Sequence, residues 1–157
     1  MKTRTIIEEL SQEDLVNLFS TATYGSSWLG IRTGEKTGVQ EDENDCLEDV
    51  WAKAVLAGHK LKVTDYYAEG ERYGDLGCVV KDEDEVTYFV GLKEIMDGLR
   101  RCADGTFKHE DDEYGRREAE WLKECVAHFA DEDSCEFDNP EAEALMQVIM
   151  FNELIYG

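Results

Sequence analysis

Proline occurs once in the 157 residues, at Pro140, and no run of 18 apolar residues exists. The first absence leaves no proline-rich linker. The second leaves no segment suited to crossing a bilayer, which takes about 20 predominantly apolar residues. Catalytic signatures are missing as well: there is no GxGxxG dinucleotide loop, no GxxxxGK[ST] phosphate loop and no CxxC pair. With three histidines in the chain, no Ser-His-Asp or Cys-His set can be nominated. Basic residues are scarce, 16 Lys and Arg against 37 Asp and Glu, and the net charge is −21. A field of that sign repels nucleic acid and anionic membrane and attracts basic proteins, with a fast and salt-dependent on-rate.

What is present is enough to fold. Apolar residues make up 42% of the chain and aromatics 10%, which argues against disorder despite 34% charged residues. The length fits one acidic domain, residues 1–157. The five cysteines, Cys46, Cys78, Cys102, Cys125 and Cys135, are odd in number and irregularly spaced. Met1-Lys2-Thr3-Arg4 runs directly into Ile6-Ile7-Glu8-Glu9 without a signal-peptide pattern. Free thiols in a reducing cytosol are the expectation.

Taken in order, Leu10-Ser11-Gln12-Glu13-Asp14-Leu15 predicts a helix start, with Ser11 as N-cap and Leu10 placed to staple onto Leu15. Leu15, Leu18, Phe19 and Ala22 extend that helix over about 11–23. Gly25 to Ile31 reads as a small-residue segment around Trp28, and Gly34 to Asn44 as a polar loop gathering Glu41, Asp42 and Glu43. Asp45-Cys46-Leu47-Glu48 predicts a capping box for a helix over 45–57 that carries Leu47, Val50, Trp51, Ala54 and Val55 and ends at Gly58. β-branched and aromatic runs predict strands at about 61–67, 77–81 and 86–91, the last two joined by an acidic turn. Leu92, Ile95, Met96, Leu99 and Cys102 predict a third helix closed by Asp104-Gly105. Asp138-Asn139-Pro140-Glu141 starts a final helix, rich enough in apolar residues through Leu154 and Ile155 to be a core element or a dimer face. The fold class is α+β, a small antiparallel three-stranded sheet with about five helices packed on it.

Between the third and last helices, Tyr114 to Ala130 reads as a helix. Tyr114, Trp121, Leu122, Cys125, Val126 and Phe129 fall on one side, and Glu113, Glu120, Glu124 and Asp131 on another. Like charges three or four apart on a helix repel by about 0.2–0.5 kcal/mol per pair. Asp131-Glu132-Asp133 near the helix end opposes the macrodipole, where a cation would contribute about 0.3–1 kcal/mol. Local rules broken without visible compensation point to function. The candidate partner-binding residues are therefore the carboxylates of this helix and the turns: Asp82, Glu83, Asp84, Glu85, Glu110, Asp111, Asp112, Glu113, Glu120, Glu124, Asp131, Glu132 and Asp133.

Other chemistry finds less support. Cys125 and His128, with Cys102, His109 and Cys135 nearby in sequence, are residue types that bind zinc, but the spacing matches no zinc motif and Cys125 falls on the apolar stripe. Asp131-x-Asp133 opens like a calcium loop, yet the glycine and terminal glutamate of that loop are missing at the required spacing. Neither a catalytic residue nor a metal or other cofactor is assigned. Tyr24, Trp28, Tyr66, Tyr67 and Tyr73 offer material for an aromatic recognition patch, and Tyr66 and Tyr67 would point to opposite faces of a strand.

In size, acidity and the placement of carboxylates at Glu41–Glu43, Asp82–Glu85, Glu110–Glu113 and Asp131–Asp133, the chain resembles the DNA-mimic inhibitors carried by phages and mobile elements, the anti-restriction and anti-CRISPR proteins. Ala22–Trp28, Trp51–Leu56 and Val63–Tyr67 resemble segments of small proteins from prophages and conjugative elements. The resemblance implies a non-enzymatic inhibitor in the bacterial host cytoplasm that occupies the basic nucleic-acid cleft of a defence nuclease and does not itself bind nucleic acid. Two alternatives compete with it. One is an adaptor that assembles through the apolar final helix, with a homodimer as one arrangement; the other is a metal- or ligand-binding protein.

Overall fold

Three helices begin on a carboxylate that reaches back to the backbone N–H before the helix. In the computed structural model, which describes residues 10–33, 42–74, 76–81, 83–127 and 139–156, Ser11 caps α1 (Gln12–Gly25). Its Oγ accepts the Asp14 N–H at 3.1 Å, while the Asp14 carboxylate accepts the Ser11 N–H at 3.0 Å. Asp49 accepts the Cys46 N–H at 2.9 Å ahead of α2 (Leu47–Leu56). Glu94 accepts the Gly91 N–H at 2.8 Å ahead of α3 (Leu92–Asp104). The reciprocal bond satisfies a donor that the helix itself leaves without a partner. For α2 it lies one residue later than Asp45–Glu48 suggests. Asp45 is thereby left to accept the Asp42 N–H at 2.9 Å and to pair with Lys53 at 2.6 Å. α3 ends where Gly105 takes the left-handed conformation, φ 68°. α4 spans Glu113–Ala127 and α5 spans Asn139–Phe151.

Among the described residues the sheet has four antiparallel strands, not three: β1 (Leu29–Arg32), β2 (Leu61–Asp65), β3 (Cys78–Val80) and β4 (Val86–Val90), in the order β1-β2-β4-β3. The added strand, β1, comes from the segment around Trp28. Leu29-Gly30-Ile31-Arg32 has little strand propensity of its own and owes its conformation to pairing with β2. β2 stops short of the expected 67 because, after the Tyr66 N–H donates to the Trp28 carbonyl at 2.8 Å, Asp65 Oδ1 takes the Tyr67 N–H at 3.0 Å in an Asx-type turn.

Register divides the sheet into two faces. Leu29, Asp65, Val86 and Val80 align across it, as do Ile31, Val63, Tyr88 and Cys78; these rows face the helices. Between them lie Gly30, Thr64, Thr87 and Val79, and then Arg32, Lys62 and Phe89, on the opposite face. Phe89 and Val79 take no part in the core that gathers Leu29, Val63 and Tyr88 with the helices.

α5 lies at the centre of that core. Ala142, Ala144 to Ile149, Met150 and Phe151 are all buried, so the apolar side chains of this helix are occupied within the chain. The helix ends at Phe151 rather than near Ile155. Asn152 turns the backbone at φ 57°, and Gln147 ties down the segment that follows. Its Oε1 accepts the N–H groups of Ile155 and Tyr156 at 2.7 and 2.8 Å, and its Nε2 donates to the Tyr156 carbonyl at 3.1 Å. α1 and α3 flank α5, and α4 packs on α3 and α5, one layer out from the sheet.

Candidate partner-binding surface

α4 is launched by Asp112, whose Oδ1 accepts the Gly115 N–H at 2.7 Å while its carbonyl accepts the Arg116 N–H at 3.0 Å. A side chain at Gly115 would run into the Glu110 carbonyl, so the acidic turn Glu110–Asp112 lies tight against the first turn of the helix. All three carboxylates of that turn are exposed. Carboxylates beside a helix N-terminus are favoured by the macrodipole, so this cluster is electrostatically tolerated where it sits.

Buried contact along α4 is made by Gly115, Ala119, Leu122, Cys125 and Val126. The stripe is built on small residues, and it sets the rotation of the helix. Tyr114 and Trp121, which the spacing places with the core side chains, end up at the stripe's edge, 73% and 38% exposed. Glu113, Glu120 and Glu124 project from the far side, all exposed. That side is less acidic than the spacing of its glutamates implies. Arg117 pairs with Glu113 at 2.6 Å, four residues apart, and Arg116 reaches Asp111 at 3.3 Å. The 15 residues of α4 hold Glu113, Glu118, Glu120 and Glu124 against Arg116, Arg117 and Lys123. Glu120 and Glu124 form no ion pair among the described residues. Burial pushes the Glu118 carboxyl up, opposed by the neighbouring His109 and a hydrogen bond from Tyr114.

Glu83 and Asp84 are exposed and Glu85 half-buried in the hairpin between β3 and β4, within the sheet layer, whereas α4 and its turn lie in the outer helix layer. Asp82, Asp131, Glu132 and Asp133 lie outside the described residues, as do His128, Phe129 and Cys135.

The chain matches no protein-family model, no curated protein and no solved structure. The chemistry of its surfaces is therefore what bears on function.

Of the other groups that could do chemistry, Cys46 is exposed and Cys78 half-buried. Cys102 and Cys125 are buried, and desolvation pushes the Cys102 thiol far up, away from the thiolate that nucleophilic or metal chemistry needs. Among the described residues no three His, Cys, Asp or Glu side chains converge as a metal-binding group. A cavity of about 200 Å³ between α3 and the end of α5 is lined by charges of both signs. There Lys93 pairs with Asp97 at 2.7 Å, Glu94 with Lys60 at 3.4 Å, and Arg101 donates to the Val148 carbonyl at 2.9 Å. Of the aromatics the sequence offers for recognition, Trp28 is buried and donates to Glu143 at 2.6 Å, while Tyr24, Tyr66 and Tyr67 are exposed.

Proposed function

We propose that this chain is a non-enzymatic protein-binding factor. Its α4 surface, with the Glu110–Asp112 turn, enters the basic nucleic-acid cleft of a partner enzyme and keeps nucleic acid out. The partner implied by the resemblance to DNA-mimic inhibitors is a host defence nuclease of the restriction or CRISPR type, and the chain itself does not bind nucleic acid.

One observation carries the proposal: Tyr114 and Trp121 stand exposed on α4 beside the carboxylates of Glu113, Glu120 and Glu124. Interfaces draw most of their binding energy from a few aromatic and Arg anchors, while surrounding charge steers encounter and selects partners. A helix with both fits a basic cleft better than a uniformly charged face, because carboxylates alone gain little once salt screens them beyond about 8–10 Å. The other apolar candidate, α5, has its apolar side chains inside the core, so less supports an adaptor built on the final helix.

The test is competition. The protein should displace DNA from at least one of a panel of restriction and CRISPR effector complexes, and displacement should weaken steeply as salt is raised. Changing Glu113, Glu120 and Glu124 together to Gln should abolish it. Undiminished competition by that triple variant would sink the proposal.

A further inference from the structure

Among the described residues three buried side-chain polar atoms have no hydrogen-bond partner: Ser26 Oγ, Arg101 Nε and Asn152 Oδ1. Two of the three belong to residues that line one space, the cavity of about 200 Å³ between α3 and the end of α5. One is a donor and the other an acceptor. A buried polar group without a partner costs stability, and in native proteins such groups are few. Because both atoms are closed to bulk water, a partner for them has to come from what the cavity holds.

Both residues are anchored in the fold. Arg101 Nη2 donates to the Val148 carbonyl at 2.9 Å, which fixes the guanidinium against the last turn of α5. The same carbonyl takes the Asn152 N–H at 2.9 Å, and the Asn152 carbonyl takes the Lys108 N–H at 2.8 Å. The left-handed backbone of Asn152, φ 57°, is thus held on both sides. Its side-chain oxygen makes none of the local bonds by which asparagine stabilises turns.

The rest of the lining sets the charge and size of the occupant. Lys93, Asp97 and Arg101 follow one another at four-residue intervals on α3, with Glu94 beside them. Two cations and two carboxylates leave the wall neutral, in a molecule of net charge −21 whose field repels free anions. Leu76, Ile149 and Met150 supply an apolar part. Cavities for drug-sized ligands measure about 300–1,000 Å³, so this one suits a molecule of about five to ten non-hydrogen atoms.

We infer that the cavity binds a small zwitterion of the α-amino-acid type. Its carboxylate accepts from Arg101 Nε and Lys93, and its ammonium donates to Asn152 Oδ1 and to the carboxylates of Glu94 and Asp97. A short apolar side chain lies on Leu76, Ile149 and Met150. An anion alone would leave Asn152 Oδ1 without a donor, and a cation alone would leave Arg101 Nε without an acceptor. Among the described residues none of α4 lines the cavity, so this site stands apart from the proposed partner surface.

Heteronuclear NMR of the backbone amides tests this, with glycine, L-alanine and L-valine as probes and acetate, ethylammonium and inorganic phosphate as controls. At least one amino acid should give saturable shifts at Leu76, Arg101 and Asn152. Acetate and ethylammonium should bind at least about tenfold more weakly, since each satisfies one of the two atoms. N152G removes the acceptor and keeps a residue suited to the left-handed backbone; it should weaken binding about tenfold or more. L76W fills the cavity, leaves its polar groups in place and should abolish binding. The inference is overturned if no amino acid gives saturable shifts, if phosphate or acetate binds as tightly as the amino acids, or if N152G and L76W bind as the wild type does.

Discussion

The hydroxyl of Tyr156 lies 2.7 and 2.9 Å from the two carboxylate oxygens of Asp65, a residue 91 positions earlier and fully buried at the end of β2. Together with the Tyr67 N–H, that hydroxyl solvates a carboxylate which the core would otherwise leave bare. It is the point where the segment after α5 is fastened to the sheet. Changing Tyr156 to Phe leaves the carboxylate with the Tyr67 N–H alone. The expected loss is about 1–3 kcal/mol of unfolding free energy, the cost of an under-satisfied buried group. Urea denaturation of the variant checks it.

Burial raises the Asp65 pKa above its ordinary 3.8, and the bonds from Tyr156 and Tyr67 only partly offset this. The folded protein thus holds that proton more tightly than the unfolded chain. The resulting stabilisation is complete below the unfolded pKa and is lost as pH rises through the raised folded one. Acidifying from neutrality toward the ordinary carboxylate range should therefore stabilise the wild type more than Asp65→Asn, which lacks the titration. Urea midpoints for both proteins at each pH decide the matter; equal shifts would remove Asp65 as the cause.

Gly98 faces α5 from within α3, where an added Cβ would meet Ile149 Cα at 3.1 Å. In an exposed helix the change from Gly to Ala gains about 1 kcal/mol. Here overpacking reverses the sign, and Gly98→Ala should destabilise by about 1–3 kcal/mol. A melting temperature at or above the wild-type value would show that α3 can move away from α5.

Tyr114 is largely exposed, so Tyr114→Ala should change stability by no more than about 0.5 kcal/mol. Together with Trp121→Ala it should weaken binding to a competed nuclease by about 2 kcal/mol or more. Titration calorimetry beside a thermal melt separates the two effects. Intact binding would assign recognition to the carboxylates alone.

Arg32→Thr removes one member of the like-charged pair with Lys62 and places a β-branched residue on an edge strand. The fold should gain about 0.2–1 kcal/mol. A lower melting temperature would mean that Arg32 supports the fold.

Much of the architecture was legible because it is local. The Ser11 cap, the Gly105 terminus, the start of α5 and the β-branched and aromatic run of β4 each depend on residues within a few positions. β1 was not legible, since its four residues become a strand only against β2. The exposure of Tyr114 and Trp121 was missed for a related reason. Large aromatics at helical spacing suggest a core, but close packing at Gly115 and Ala119 turned the helix onto its small residues.

By itself the sequence determined the acidity, the α+β class and the positions of most helices, because charge sums over residues and helix periodicity and capping are short-range. Tertiary structure decided which charges meet. It paired Lys60 with Glu94, set Arg32 against Lys62 and brought Tyr156 to Asp65. Such contacts follow from how elements distant in the chain are layered and registered, and Coulomb energies and hydrogen bonds depend on the resulting distances of a few ångströms.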